Sequence, residues 1–175
     1  MDPARLVFID ETGAKTNMTR LYARARTNMR ATEHAPHGHW NTTTLVAGIC
    51  QSGAIAPMTL DGPMDTEAFV AYVQHCLIPA LPNNAIVIMD NLSAHKSPVI
   101  QKLLEEAGAT LRYLPPYSPD FNPIELMWSK VKTYLRATKA RTCDELQTTI
   151  AQALAIITPQ DTQGFFRHCF VGVIN

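Results

Sequence analysis

Apolar and polar positions divide this chain into short stretches with two different periods. LVFI at 6–9 is apolar at every position and stops at an acid, Asp10, as a strand buried on both faces does. AIVIM at 85–89 repeats the pattern and stops at Asp90. RLYARAR at 20–26 and TTLVAGIC at 43–50 read as further strands, and QSG at 51–53 turns the second of these back into AIAPMTL. Together they predict an antiparallel meander.

From Asp65 the period changes. Phe69, Val73, Cys76, Leu77 and Ala80 recur at helical spacing, which predicts one amphipathic helix ended by Pro79 and Pro82. Ser97-Pro98 starts another, with Ile100, Leu103, Leu104 and Ala107 on its inner face and Gly108 closing it. TLRYL at 110–114 is a short strand, so residues 85–114 form a βαβ unit with parallel strands. Three more helix starts follow at Asn122-Pro123, at Thr142 with Glu145, and at Thr158-Pro159. A meander, a βαβ unit and terminal helices make an α/β fold, a mixed sheet with helices on its faces. At 175 residues, without repeats or a linker, the chain is expected to be one domain over 1–175.

Composition narrows the class. With 46% hydrophobic and 17% charged residues the chain reads as globular, and no stretch nears the ~18–20 uninterrupted apolar residues of a membrane span. MDPARLVFIDET lacks the basic start and cleavage site of a signal peptide, so a soluble cytoplasmic protein is expected, with no membrane partner. Cys50, Cys76, Cys143 and Cys169 are scattered singly, which points to free, mostly buried thiols rather than a zinc knuckle or disulfide framework. Fifteen basic residues balance fifteen acidic ones, so any affinity for nucleic acid must come from a local patch or another chain.

The chemistry lies in the acids. Asp10 and Glu11 alone read as residues closing a strand, and Asp90-Asn91 as a polar turn. Glu125 alone reads as a cap: Asn122 as N-cap, Pro123 at N1 and Glu125 at N3 fit the capping-box pattern, as do Thr142 and Glu145. The combination says more. Two aspartates end central strands, where sites form in open α/β sheets, and Pro115, Pro116, Pro119 and Pro123 fix the start of the helix carrying Glu125. Three ionised carboxylates in one cleft repel unless a cation neutralises them, and all-oxygen donors suit Mg²⁺ or Mn²⁺. Two such ions would serve an in-line phosphoryl displacement.

FIDET (8–12), HGHWNTTTLVAGI (37–49), IVIMDNLSAHK (86–96) and LPPYSPDFNPIELMWSKVK (114–132), with thirty-four residues between Asp90 and Glu125, resemble the catalytic domain of bacterial insertion-sequence transposases in the mariner-like superfamily. The resemblance implies a ribonuclease-H-like, mixed five-stranded sheet with Asp10, Asp90 and Glu125 as a catalytic, metal-binding acidic triad holding two Mg²⁺ or Mn²⁺ ions. It also implies cut-and-paste transposition: hydrolysis at transposon ends, then attack of the freed 3′-hydroxyl on target DNA, typically at TA, a step that deforms cheaply. Two ends processed together imply a homodimer. No helix-turn-helix segment precedes Met1, so end recognition is expected from a separate chain or an upstream part. The segment YARARTNMRAT lacks the glycines expected in the turn of a hairpin. The alternatives are a structure-specific nuclease of the same fold and an inactive regulatory module.

Other residues have two readings each. Asn91 and His95 either shape and cap the loop after Asp90 or contact the scissile phosphate and orient a metal-bound water. Lys96 is a candidate phosphate contact. Lys130, Lys132, Arg136, Lys139 and Arg141 form the one concentrated basic segment, read as a DNA-backbone track beside the site, and Arg20, Arg24 and Arg26 could add a second. His37 and His39 make an HxH without a third ligand, better suited to structural roles at the start of a strand, and Trp40 and Trp128 read as core or helix-face residues.

Overall fold

The computed structural model describes residues 2–34, 36–37, 40, 42–91, 93–116 and 118–170. Five strands form one sheet in the order β3-β2-β1-β4-β5: β1 (Leu6–Ala14), β2 (Thr43–Cys50), β3 (Gly53–Asp61), β4 (Ile86–Met89) and β5 (Thr110–Tyr113). The first three pair antiparallel, while β4 pairs parallel with both β1 and β5. This is the mixed five-stranded, ribonuclease-H-like arrangement.

Side chains alternate across a strand, and in the central strands both faces are apolar. Leu6, Phe8, Ala47 and Ile86 face one layer, packed with α4 (Pro123–Thr138), α5 (Cys143–Ala155) and α6 (Pro159–Cys169) through Trp128, Val131, Ile150 and Phe166. Val7, Ile9, Val46, Val87 and Met89 face the other, packed with α1 (Thr66–Tyr72) and α3 (Pro98–Glu106) through Phe69, Tyr72, Ile100 and Leu104. Gly48 lets β2 approach β1 closely, since a Cβ there would fall 2.8 Å from Ile9 Cδ1.

Four expectations need correction. β1 does not stop at Asp10 but runs on to Ala14, with Asp10 opposite Ala47 on β2. Residues 20–26 form no strand: Leu21 is 66% and Tyr22 90% exposed, and β1 already has β2 and β4 on its two edges, which leaves no place beside it. Instead of a hairpin there is a turn in which Met29 N–H donates to Arg26 O (2.9 Å), and Asn28, at φ +65°, supplies the left-handed backbone that a glycine would have given. Pro79 does not end its helix. α1 continues through a π-helical segment, Val73–Leu77, into α2 (Ile78–Ala80), a widening suited to a proline that lacks an N–H and crowds the preceding turn. The chain turns extended at Leu81, just before Pro82. The cysteines are free, yet Cys50 alone is buried and Cys143 is exposed. Among the described residues no helix is long and apolar enough to cross a membrane.

Candidate active site

β1 and β4 run parallel in the register Leu6–Ile86 through Ile9–Met89, so the next step along both strands sets Asp10 beside Asp90. Neighbouring strands lie about 4.8 Å apart. By alternation Asp10 shares the face of Phe8, which is the face covered by α4, and α4 carries Glu125 in its first turn. The backbone after β5 completes the enclosure: Leu114, Pro115, Pro116, Ser118 and Pro119 line a cleft of about 380 Å³ together with Asp10, Asp90, Asn91, Asn122 and Glu125. The three acids expected to meet therefore line one cleft at the carboxyl end of the parallel strands.

Electrostatics agrees with that proximity. Burial pushes the Asp10 carboxyl up to about 7 from an ordinary 3.8; the Glu11 backbone N–H opposes this, and the charges of Glu125, Asp90 and Glu11 add to it. Asn122 is buried, and its Oδ1 has no hydrogen-bond partner among the described residues. The cleft thus presents three carboxylates and an unsatisfied amide oxygen, a donor set that suits a hard cation. Among the described residues, no three His, Cys, Asp or Glu side chains already close up into a single-ion site.

Whether Glu125 turns back to cap its own helix is decided by its neighbours. The Pro119–Phe121 3₁₀ turn delivers Asn122 N–H to Pro119 O (2.9 Å), and Asn122 makes no side-chain cap bond. A backbone amide that is already donating offers Glu125 nothing to accept.

His95 has a place that the sequence did not assign. It is 1% exposed, neither a cap nor a surface loop residue. Its Nδ1 lies 2.6 Å from Asp90 Oδ1 and its Nε2 3.1 Å from Glu11 Oε1, so the ring bridges two carboxylates and, when protonated, donates to both. Burial alone would lower the pKa of His95; the bond to Glu11 and the charges of Asp90 and Glu11 outweigh it and hold the pKa above its ordinary value. The Phe69 ring lies against the imidazole at 4.3 Å between centroids, and Tyr113 Oη donates to His95 O (3.0 Å). One signal was available: Glu11 follows Asp10 in a strand and must face the opposite side of the sheet, where it needs a partner of its own.

The basic residues divide. Lys130 Nζ donates to Asp161 Oδ2 (2.7 Å) and to Ile156 O (3.3 Å), tying α4 to the start of α6. Lys139 pairs with Glu33 from the C-cap of α4, and Arg141 Nη1 donates to Thr16 O (2.6 Å) and Met18 O (3.1 Å). Among the described residues Lys96, Lys132 and Arg136 enter no ion pair. His37 is exposed and precedes β2, while His39 lies outside the described residues. Trp128 is buried against the sheet.

Comparison with known proteins adds a family model described as DDE superfamily endonuclease, which matches residues 5–147. No curated protein matches the chain. Among solved structures, the Mos1 strand transfer complex is similar at a TM-score of 0.74 and 18% identity, over 95% of this chain and 52% of that one. The Mos1 mariner paired end complex with Mg gives 0.70 and 17%, over 94% and 53%. The catalytic domain of Mos1 mariner transposase gives 0.64 and 15%, over 95% and 78%. At these identities the likeness is one of fold, and the chain spans about half the length of the proteins in the two complexes.

Proposed function

Because the chain belongs to the DDE superfamily of endonucleases, we propose that it is the catalytic domain of a DNA transposase of the bacterial insertion-sequence branch, with Asp10, Asp90 and Glu125 as its catalytic acids. The observation that carries this reading is that three carboxylates from β1, the end of β4 and the first turn of α4 line one cleft. The same three acids would hold two Mg²⁺ or Mn²⁺ ions, with Asn122 Oδ1 as a further oxygen donor. When bound, such ions supply positive charge to an attacking and a leaving oxygen at phosphorus. The Mos1 complexes solved with Mg and with Mn support the choice of metal.

The remaining work falls to this chain's own residues. Asp10 is held within β1, Asp90 directly follows the last paired residue of the adjacent β4, and Glu125 sits in a helix start set by prolines, so little reorganisation is needed when a DNA strand arrives. Leu114, Pro115 and Pro116 give the cleft a rigid, apolar wall that limits water around the reacting phosphate. Lys96, Lys132 and Arg136 are the cations best placed to meet DNA phosphates, since Lys130, Lys139 and Arg141 are engaged within the fold. In the reaction proposed, water cleaves the phosphodiester at a transposon end. The freed 3′-hydroxyl then bonds to a target phosphorus, typically at TA, as the target P–O bond breaks.

The Mos1 paired-end complex with a left transposon end supports DNA ends as the substrate, and the need to process two ends together is the reason for proposing two copies of this chain. The balanced charge of the chain supports end recognition by another segment or chain. The test uses pre-cleaved DNA ends bearing a 3′-hydroxyl, a plasmid target and Mn²⁺. Joined products are expected; cleavage without joining would replace transposase by nuclease, and neither product would leave a regulatory module.

A further inference from the structure

We propose that Glu11 and His95 are positioning residues that fix the Asp90 carboxylate for the cleft, an inference that rests on the metal-dependent reading above. Asp90 sits just beyond the last paired residue of β4, where a strand no longer constrains a side chain. His95 supplies a constraint there. Its Nδ1–H holds Asp90 Oδ1 at 2.6 Å, shorter than a typical neutral N–H···O bond, as expected for a bond between charged partners.

A ring held at one atom would swing, and His95 is held on every other side. Nε2 is anchored 3.1 Å from Glu11 Oε1, Phe69 packs against the ring face, and Tyr113 Oη holds the His95 backbone. Glu11 of β1 and Phe69 of α1 hold the imidazole, and Tyr113 at the end of β5 holds the His95 main chain, so three elements converge on this residue. Strand alternation makes the arrangement possible. Asp10 faces the α4 side and Glu11 the α1 side, so the neighbouring acids serve the two ends of one chain: Asp10 directly, Glu11 through His95 and Asp90. Bridging of this kind orients a carboxylate that is to hold a cation, and loss of such a partner costs about 10–100-fold in metal affinity.

The experiment compares Glu11→Gln, Glu11→Ala and His95→Ala with the unaltered chain. Mn²⁺ titration of the protein alone, followed by electron paramagnetic resonance, gives metal affinity without catalysis. Cleavage at varied Mn²⁺ and DNA gives the split between kcat and KM, and proton NMR detects the hydrogen-bonded imidazole N–H signals in metal-free protein. His95→Ala and Glu11→Ala are expected to weaken Mn²⁺ binding about 10–100-fold, with KM for DNA unchanged and cleavage recovering at high Mn²⁺. Glu11→Gln, whose carbonyl still accepts from Nε2–H, is expected to stay within about threefold of the unaltered chain, since it removes a charge but leaves the bond.

Glu11 is more exposed than His95, so its variants test the idea even if His95→Ala unfolds. Unchanged Mn²⁺ affinity in Glu11→Ala would overturn the positioning role while leaving the proposed function standing. If the unaltered chain bound no Mn²⁺ yet kept imidazole signals sensitive to Asp90→Asn, the metal-dependent reading would fall, and the positioning role with it.

Discussion

The first turns of α4 and α5 carry the same local signal and do different things. Each has a polar N-cap and a glutamate three residues on, Asn122 with Glu125 and Thr142 with Glu145. In α5 the box closes: Thr142 Oγ1 accepts from Glu145 N–H (3.2 Å), and Glu145 Oε2 accepts from the backbone of Arg141 (2.8 Å) and Thr142 (3.2 Å). Those backbone bonds, Arg141 first, hold the Glu145 carboxyl below its ordinary value. α6 closes the same way with Thr158 and Asp161. In α4 neither half forms: the preceding 3₁₀ turn has taken the Asn122 amide that Glu125 would need, Asn122 makes no side-chain cap bond, and both residues line the cleft instead. The residues before a cap thus decide whether its acid is structural or available for chemistry.

The largest effect that should separate the two helix starts is on activity. Glu125→Gln, Asp90→Asn or Asp10→Asn is expected to reduce Mn²⁺-dependent DNA cleavage by about 1,000-fold or more, a loss of roughly 4 kcal/mol of transition-state stabilisation, with circular dichroism unchanged. Glu145→Gln is expected to cut at the normal rate. A Glu125→Gln chain that cleaved normally would make Glu125 a second capping residue and erase the contrast.

The next effect is on stability and its pH dependence. Asp10 titrates at about 7 in the folded chain against an ordinary 3.8, so between those values the folded state keeps a proton that the unfolded chain has released. The resulting penalty is absent below pH 3.8, grows as pH rises, and is complete above 7. Asp10→Asn removes it, so the melting temperature should rise by several degrees at pH 8, at roughly 2–4 °C per kcal/mol for this size, and stay level near pH 4. Saturating Mg²⁺ should stabilise the unaltered chain and not the variant.

Smaller still is the capping comparison. Thr142→Ala should cost about 1 kcal/mol of stability in denaturant melts and nothing in activity. Asn122→Ala loses no cap bond and an unsatisfied oxygen, so it should cost less stability but reduce cleavage. The smallest effects should appear among the basic residues. Lys130→Gln should lower stability by less than ~1 kcal/mol and leave the salt dependence of DNA binding unchanged, whereas Lys132→Gln and Arg136→Gln should each reduce that slope by about 1.

Much of the fold was legible because burial on both faces leaves continuous apolar runs, as at 6–9 and 86–89, and because caps are local chemistry, as at Ser97, Thr142 and Thr158. Asp10, Asp90 and Glu125 could be singled out from apolar runs that stop at acids, a proline-fixed helix start and the motifs around them. Their convergence on one cleft, however, depends on the pairing of β1 with β4 and the packing of α4, and Asp10 lies within β1 rather than at its end. What misled was alternation without a destination. RLYARAR has the pattern of a strand, but whether it becomes one depends on an open place beside its neighbour β1, and both edges of β1 are taken by β2 and β4, which no local window reveals. For His95 the only signal was that Glu11, on the opposite face from Asp10, needs a partner; which residue fills that need no local window reveals, since one of its carboxylates lies 5 residues away and the other 84.

The position of a bound divalent ion is the most direct test of the three-carboxylate cleft. Crystals soaked in Mn²⁺ and measured for its anomalous signal should show density bounded by the carboxylates of Asp10, Asp90 and Glu125. A cleft without manganese, or a Glu125 carboxylate turned back on the Asn122 amide, would contradict it.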